Sequence, residues 1–143
     1  MSLRAKQIVT GALALTGLVV GLWAAAWPRG FYDAFPGLGH HWVSTIGPFN
    51  EHLVRDVGGL YLGMAVISTW ALARPRNETF TMVGLGWLVF NLSHAAFHLR
   101  HLDELTNRTD QLGNAVTLSG VVLLALSLLL PPRRDPSRTT EPL

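Results

Sequence analysis

Histidine and acidic side chains occur in this sequence at a spacing that suits the binding of a metal ion. His94 and His98 are four residues apart, so on a helix their imidazole rings project from one face and can ligate the same ion. His52 and Asp56 have the same spacing. Nitrogen and oxygen ligands of this kind suit Zn, Fe, Cu(II) or Ni. The candidate metal ligands are His52, Asp56, His94, His98, His101 and Asp103.

Each of these pairs belongs to a longer stripe of small and polar residues at helical spacing. Small residues mark the packed side of a membrane helix, because they let two backbones approach closely. The glycines therefore predict that the two stripes face each other, with Asp103 and Glu104 above the site that they form. The first stripe is His52, Asp56, Gly59 and Gly63, and the second is Gly84, Trp87, Asn91, His94, His98 and His101.

Four long stretches with few charges supply the helices that position these residues. Apolar residues make up 49% of the chain and charged residues 14%, against about 25% charged in soluble domains. A run of about 20 apolar residues is long enough to cross a bilayer. The fold class is therefore predicted to be all-α, a four-transmembrane-helix bundle in a single domain, residues 1–132. Its spans are predicted at about 8–27, 48–73, 79–100 and 110–130.

Basic residues in the short loops orient the bundle, because Lys and Arg are enriched on the cytoplasmic side of a membrane. Seven of the eleven Lys and Arg residues fall on one side when the N-terminus is cytoplasmic. The N- and C-termini are therefore predicted to be cytoplasmic, and residues 133–143 to form a disordered cytoplasmic tail. This orientation puts all six histidines at or near the outer face. The inner half of the bundle is predicted to be chemically inert.

Composition argues against several classes of protein. The chain has no cysteine, which excludes disulfides, thiolate metal sites and iron–sulfur clusters. Its net charge is only +2, and no basic stripe is interleaved with aromatic residues, so nucleic acid is not an expected partner. Residues 24–26 are three alanines, as at a signal-peptide cleavage site, but the preceding apolar run is too long for a typical signal core. We expect a multi-pass protein of the cell membrane, with the lipid bilayer as its partner.

Besides a proton relay or a small-molecule site, three interpretations of the cluster of histidines and carboxylates stay open. The first is a site for a transition metal or a redox-linked ligand at the outer face. The second is a haem held between His52 and either His94 or His98. In the third, the polar groups only satisfy one another and fix the helix register. The protein would then be a non-catalytic accessory or scaffold subunit, with another membrane protein or a second copy of this chain as its partner.

One segment carries a resemblance to a known family. The second predicted span begins with an acidic and basic stretch followed by glycines, Glu51-His52-Leu53-Val54-Arg55-Asp56-Val57-Gly58-Gly59-Leu60-Tyr61. With its four short spans, the chain resembles the DoxX-like group of small four-helix membrane proteins over roughly residues 5–130. The resemblance implies a compact four-helix bundle and a link to quinone or redox membrane chemistry. It assigns no catalytic residue, and the histidine stripe is not part of the general family pattern.

Overall fold

The computed structural model describes residues 1–132, so the predicted tail, residues 133–143, lies outside the described part of the chain. Four helices are long and apolar enough to cross a membrane, which confirms the all-α, four-helix prediction. These helices are α1 (Leu3–Ala26), α3 (Glu51–Ala73), α4 (Asn77–Arg100) and α5 (Arg108–Leu128). A short helix, α2 (Pro28–Ala34), and a hairpin of β1 (Pro36–Gly37) and β2 (His40–His41) lie between α1 and α3. A 3-10 turn, Leu102–Glu104, follows α4.

The start of each of three long helices is set by a polar side chain that caps it. Ser2 Oγ accepts from the backbone N–H of Ala5 at 3.2 Å, and Asn107 Oδ1 accepts from that of Asp110 at 2.8 Å. Asn50 Oδ1 accepts from the N–H of Leu53 at 3.1 Å. Because this cap satisfies a backbone donor that a helix otherwise leaves free, α3 begins at Glu51. The predicted span began three residues earlier, at residue 48.

The two ends of the bundle differ, and we name them by their contents. The hairpin end carries α2, the hairpin and the connection from α4 to α5. The terminal end carries the turn between α3 and α4 and the meeting of residues 1 and 131, where the Met1 nitrogen donates to the Pro131 carbonyl at 2.5 Å. The sides of the long helices are strongly apolar, with Ile8 and Val89 both 73% exposed. Such surfaces suit contact with lipid.

Glycines set the packing of α1 against α3, as predicted for the first span. A Cβ added to Gly17 would lie 2.8 Å from the carbonyl oxygen of Tyr61, and one added to Gly21 would lie 2.9 Å from the nitrogen of Leu62. On α3, a Cβ at Gly58 would lie 2.5 Å from the nitrogen of Ala25. The two backbones touch at these points, which only residues without a side chain permit.

The prediction that α3 packs through the face containing Gly59 and Gly63 is wrong. Nothing lies within 4 Å of a Cβ added to Gly59 or Gly63, whereas Gly58 is buried against α1. One residue corresponds to about 100° of rotation around a helix, so the face that contains Gly59 and Gly63 points away from the bundle. The buried face of α3 instead contains Val54, Gly58, Tyr61, Met64, Ala65, Ser68 and Ala71.

The antiparallel helices α4 and α5 pack through Gly84. A Cβ there would lie 2.9 Å from both the Ala125 carbonyl oxygen and the Leu128 Cβ. Beside this contact, Trp87 is 1% exposed, and its Nε1 donates to Ser68 Oγ on α3 at 3.0 Å. In the core, α4 is therefore joined to α3 by a buried hydrogen bond and to α5 by the close contact at Gly84.

The terminal half of the bundle contains buried polar side chains that the sequence analysis did not single out. Lys6 is 1% exposed, and Thr10 and Ser68 are fully buried. Lys6 and Thr10 are four residues apart and lie on one face of α1. Sequence alone does not reveal their burial, because Lys6 precedes the predicted span at about 8–27 and lies in a basic segment of the kind that marks the cytoplasmic side.

Candidate functional site

All six histidines lie at the hairpin end. His40 and His41 form β2, and His52 is in the first turn of α3. His94 and His98 are in the last two turns of α4, and His101 caps that helix. Because α3 begins at the hairpin end and α4 finishes there, the order of the helices alone brings these residues to one end.

The six predicted metal ligands do not form one site. Among residues 1–132, no group of three or more His, Asp or Glu side chains is placed to hold a metal ion. His52 Nδ1 lies 3.3 Å from Asp56 Oδ2, but these side chains are 80% and 64% exposed. They lie on the same outward face as Gly59 and Gly63, so the rotation of α3 that turns those glycines away from the bundle also turns this pair away.

The remaining predicted ligands have other surroundings. The rings of His94 and His98 are in contact, with their centroids 4.6 Å apart and their planes at 67°. His94 also stacks on Phe90, at 5.2 Å between centroids. His101 Nδ1 lies 2.7 Å from the carbonyl oxygen of Phe97, which is one turn earlier. Asp103 is exposed in the 3-10 turn. Only His94 and His98 remain as neighbouring imidazoles that point toward the bundle.

A carboxylate that the sequence analysis did not select, Asp110, is the centre of the polar contacts at this end. Its side chain is 7% exposed. Trp42 Nε1 donates to Asp110 Oδ1 at 2.9 Å, and Asn107 Nδ2 donates to Oδ2 at 2.7 Å. His40 Nδ1 also lies against Oδ1 and donates to it in the tautomer that carries the proton there. These contacts fasten the hairpin segment to the start of α5.

Asp110 also occupies a favourable position on its helix. It is in the first turn of α5, where the free N–H groups and the helix dipole stabilise a negative charge. A signal for this residue is present in the sequence, since Asn107 and Asp110 are spaced as a cap and its third helical residue. The contacts to His40 and Trp42 have no such local signal, because those residues are 70 and 68 positions away.

On α4 and α5, two buried polar atoms have no hydrogen-bond partner within the described part of the chain. They are Nδ1 of His98 on α4 and Oδ1 of Asn114 on α5. Asn114 is 2% exposed. Leaving such an atom unpaired costs about 1–3 kcal/mol, so a hydrogen-bonding partner, water or another polar group, is expected at each.

The register of α4 and α5 places His98 and Asn114 about one helical turn apart along the bundle. Ala95 lies eleven residues after Gly84 on α4, and Asn114 lies eleven residues before Ala125 on α5. Eleven residues make about three full turns. By this register Ala95 and Asn114 lie at a similar level of the two helices, about three turns from the contact between Gly84 and Ala125, and His98 lies one turn further along α4.

We call the polar side chains of α4 and of the first turns of α5 near the hairpin end the polar layer. Asn91 closes it toward the core, because it is 2% exposed and its Nδ2 donates to the Trp87 carbonyl at 2.7 Å. An imidazole and a carboxamide can both donate and accept hydrogen bonds. The layer therefore offers both donors and acceptors. Its members are Asn91, His94, His98, Asp110 and Asn114.

Comparison with known proteins gives little that bears on this site. No family model matches the chain, and no solved structure matches it. A stretch of 103 residues is 30% identical to a protein of Sinorhizobium fredii (strain NBRC 101917 / NGR234) named "Putative transposase y4bL/y4kJ/y4tB". That stretch covers 71% of this chain but 18% of the relative. The chain thus spans about a fifth of the length of the relative that it is similar to.

Proposed function

We propose that this multi-pass membrane protein binds a lipid-soluble ligand with a hydrogen-bonding head group in the polar layer. One observation carries the proposal: His98 Nδ1 and Asn114 Oδ1 are both buried without a partner among residues 1–132, on helices that pack against each other. Groups within a bilayer are expensive to leave unpaired, and polar residues at that depth are functional candidates for this reason.

The chemistry of the two atoms favours a hydroxyl head group. Asn114 Oδ1 is an acceptor, and an imidazole nitrogen without a proton is a second acceptor. A hydroxyl group on the ligand satisfies one of them, and a second hydroxyl satisfies the other. A hydroquinone carries two hydroxyl groups on one ring and an apolar tail that partitions into lipid. The resemblance to the DoxX-like group supports a redox-linked ligand of this class.

Such a head group suits the site better than a metal ion does. A ligand set for zinc, iron or copper needs three or four donors around the ion, whereas the polar layer supplies two neighbouring imidazoles, His94 and His98. A hydroquinone needs only hydrogen-bond partners and an apolar surface. Phe90, which stacks on His94, supplies an aromatic surface beside the polar layer.

The direction of the bundle in the membrane is part of this proposal. Counted along the whole sequence, seven Lys and Arg residues belong to the termini and the turn between α3 and α4, against four at the hairpin end, and this bias favours a cytoplasmic position for the terminal end. The polar layer then lies toward the outer face of the cell membrane, and a ligand reaches it from the outer leaflet.

Binding is tested on the protein reconstituted in lipid nanodiscs, with a short-chain benzoquinol as the probe. We expect saturable quenching of tryptophan fluorescence and a higher unfolding temperature, with about 2.7 kcal/mol of stabilisation at a concentration one hundred times the Kd. Replacing Asn114 by Leu or His98 by Phe should weaken binding, since each change removes one hydrogen-bond partner of the head group.

The matched control is His52→Ala, which removes an exposed histidine at the same end of the bundle. It should bind the quinol as the unmodified protein does. Equal binding by the unmodified protein and the Asn114→Leu and His98→Phe variants would disprove the proposal. So would absence of any stabilisation, and the protein would then be better described as an accessory subunit with a purely structural polar layer.

A further inference from the structure

Two cavities at the terminal end adjoin one tryptophan. The first, of about 380 Å³, lies at the turn between α3 and α4 and is lined by Trp70, Arg74, Pro75, Arg76 and Thr79. The second, of about 620 Å³, is a groove between α1 and α3 that also contains Trp70. A polar cavity and an apolar groove therefore meet at a single side chain, 50% exposed on the surface of the bundle.

The first cavity presents two guanidinium groups. Neither Arg74 nor Arg76 has a carboxylate within 4 Å in the part of the chain that the structure describes. The Arg74 guanidinium lies 5.5 Å from the centre of the Trp70 ring, an arrangement that limits its freedom while its N–H groups remain available. A guanidinium presents a planar fork of donors that matches the oxygens of a phosphate group.

The second cavity has the character of a site for a hydrocarbon chain. Small residues form its floor, since Ala14 and Ala65 are 9% and 5% exposed. Larger apolar side chains, including Leu15 and Val66 at 61% and 68% exposure, form its walls. The groove exists because Gly17 lets α1 approach α3 closely while the side chains on either side project outward.

The length of the groove matches one leaflet of a bilayer. Along α3 it extends from Leu62 to Ala73, and eleven residues of helix rise about 16 Å. Half of a hydrocarbon core about 30 Å thick is about 15 Å. The two arginines lie just beyond Ala73, at the level that the head groups occupy if the end of the helix marks the membrane surface.

From this arrangement we propose that the terminal end binds one anionic phospholipid. Its phosphate lies between Arg74 and Arg76, and one acyl chain occupies the groove between α1 and α3. The opposite charge of the head group and the two arginines selects an anionic lipid over a zwitterionic one. The site is independent of the polar layer at the hairpin end, so it stands whether or not a quinol binds there.

Native mass spectrometry of the detergent-purified protein tests the proposal, with phosphatidylglycerol and phosphatidylcholine of the same acyl chains as probes. We expect one phosphatidylglycerol to stay bound, with a preference of about tenfold or more over phosphatidylcholine, since each basic residue contributes about 1 kcal/mol toward an anionic lipid. Arg74→Gln with Arg76→Gln should remove that preference. Arg74→Lys with Arg76→Lys retains the charge and should retain most of it.

Two further variants distinguish lipid binding in these cavities from general effects of charge and folding. Arg4→Gln removes an exposed basic residue from the same end of the bundle, and it should leave the preference unchanged. Val66→Phe places a larger ring at the exposed wall of the groove and should weaken both lipids alike.

Three results would overturn the proposal. One is an equal loss of preference in Arg4→Gln and in the double glutamine variant, which would show only a diffuse attraction to basic residues. Another is complete competition by inorganic phosphate at millimolar concentration, which would identify a site for a free anion. The third is binding that Val66→Phe leaves unchanged, because the acyl chain would then lie elsewhere.

Discussion

The structure contains two histidine–aspartate pairs that are chemically alike but lie in opposite environments. His52 and Asp56 are one turn apart on α3, and their side chains are 80% and 64% exposed. His40 and Asp110 come from segments 70 residues apart, and Asp110 is 7% exposed. Both residues of the first pair lie on α3, so their contact joins no two elements of the fold. The second pair connects the hairpin segment to α5.

This difference has energetic consequences. An exposed ion pair contributes about 0–1 kcal/mol, because water screens the charges and the side chains lose entropy when they are ordered. A buried carboxylate with several donors is different, since its removal leaves each buried donor without a partner. Spacing along a helix therefore identifies a pair that can form, and burial decides whether the pair matters for stability.

Replacing each aspartate by alanine should give the largest contrast between the pairs. Asp110→Ala leaves the buried Trp42 Nε1 without an acceptor and removes the contacts with Asn107 and His40, and we expect a loss of about 2 kcal/mol in the free energy of unfolding. The matched change, Asp56→Ala, should cost about 0.5 kcal/mol or less. Reversible unfolding in mixed micelles measures both values. Equal losses for the two variants would contradict the comparison.

A smaller effect is expected when only one donor to Asp110 is removed. Trp42→Phe keeps an aromatic ring beside Gly113 but loses the Nε1 hydrogen bond, and we expect a loss of about 1 kcal/mol. Trp27→Phe is the control, because Trp27 is 70% exposed. Thermal unfolding followed by circular dichroism compares the two variants with the unmodified protein. A larger decrease in the unfolding temperature for Trp27→Phe would show that the Asp110 contacts are weak.

The helices and one of their interfaces could be predicted from sequence, because both follow from local features. Apolar runs of sufficient length give the four spans, and the spacing of Gly17 and Gly21 predicts a close helix contact, which the structure confirms. The same reasoning selected Gly59 and Gly63, although Gly58 makes the contact. Where two glycines are adjacent, as Gly58 and Gly59 are, the sequence does not show which of them faces the partner helix. That is determined by the packing of the two helices.

The site was harder to predict than the fold. Its histidines could be assigned to one end, because helix order alone fixes that position. Asp110 was missed because its importance comes from His40 and Trp42, far away in sequence. The pair His52 and Asp56 was overvalued for the opposite reason, since i and i+4 spacing is visible in sequence while exposure is not.

A double-mutant cycle on each pair compares the two interactions directly. The coupling free energies that it measures are the smallest of the expected effects. For His40 and Asp110, the single alanine variants and the double variant should give a coupling free energy of about 1 kcal/mol, because the imidazole contacts a carboxylate that is largely shielded from water. For His52 and Asp56, we expect about 0.3 kcal/mol, a value typical of exposed pairs one turn apart on a helix. Raising the salt concentration should decrease the second coupling more than the first, since screening acts mainly on exposed charges. A coupling for the exposed pair as large as that of the buried pair would show that burial does not set the strength of these contacts.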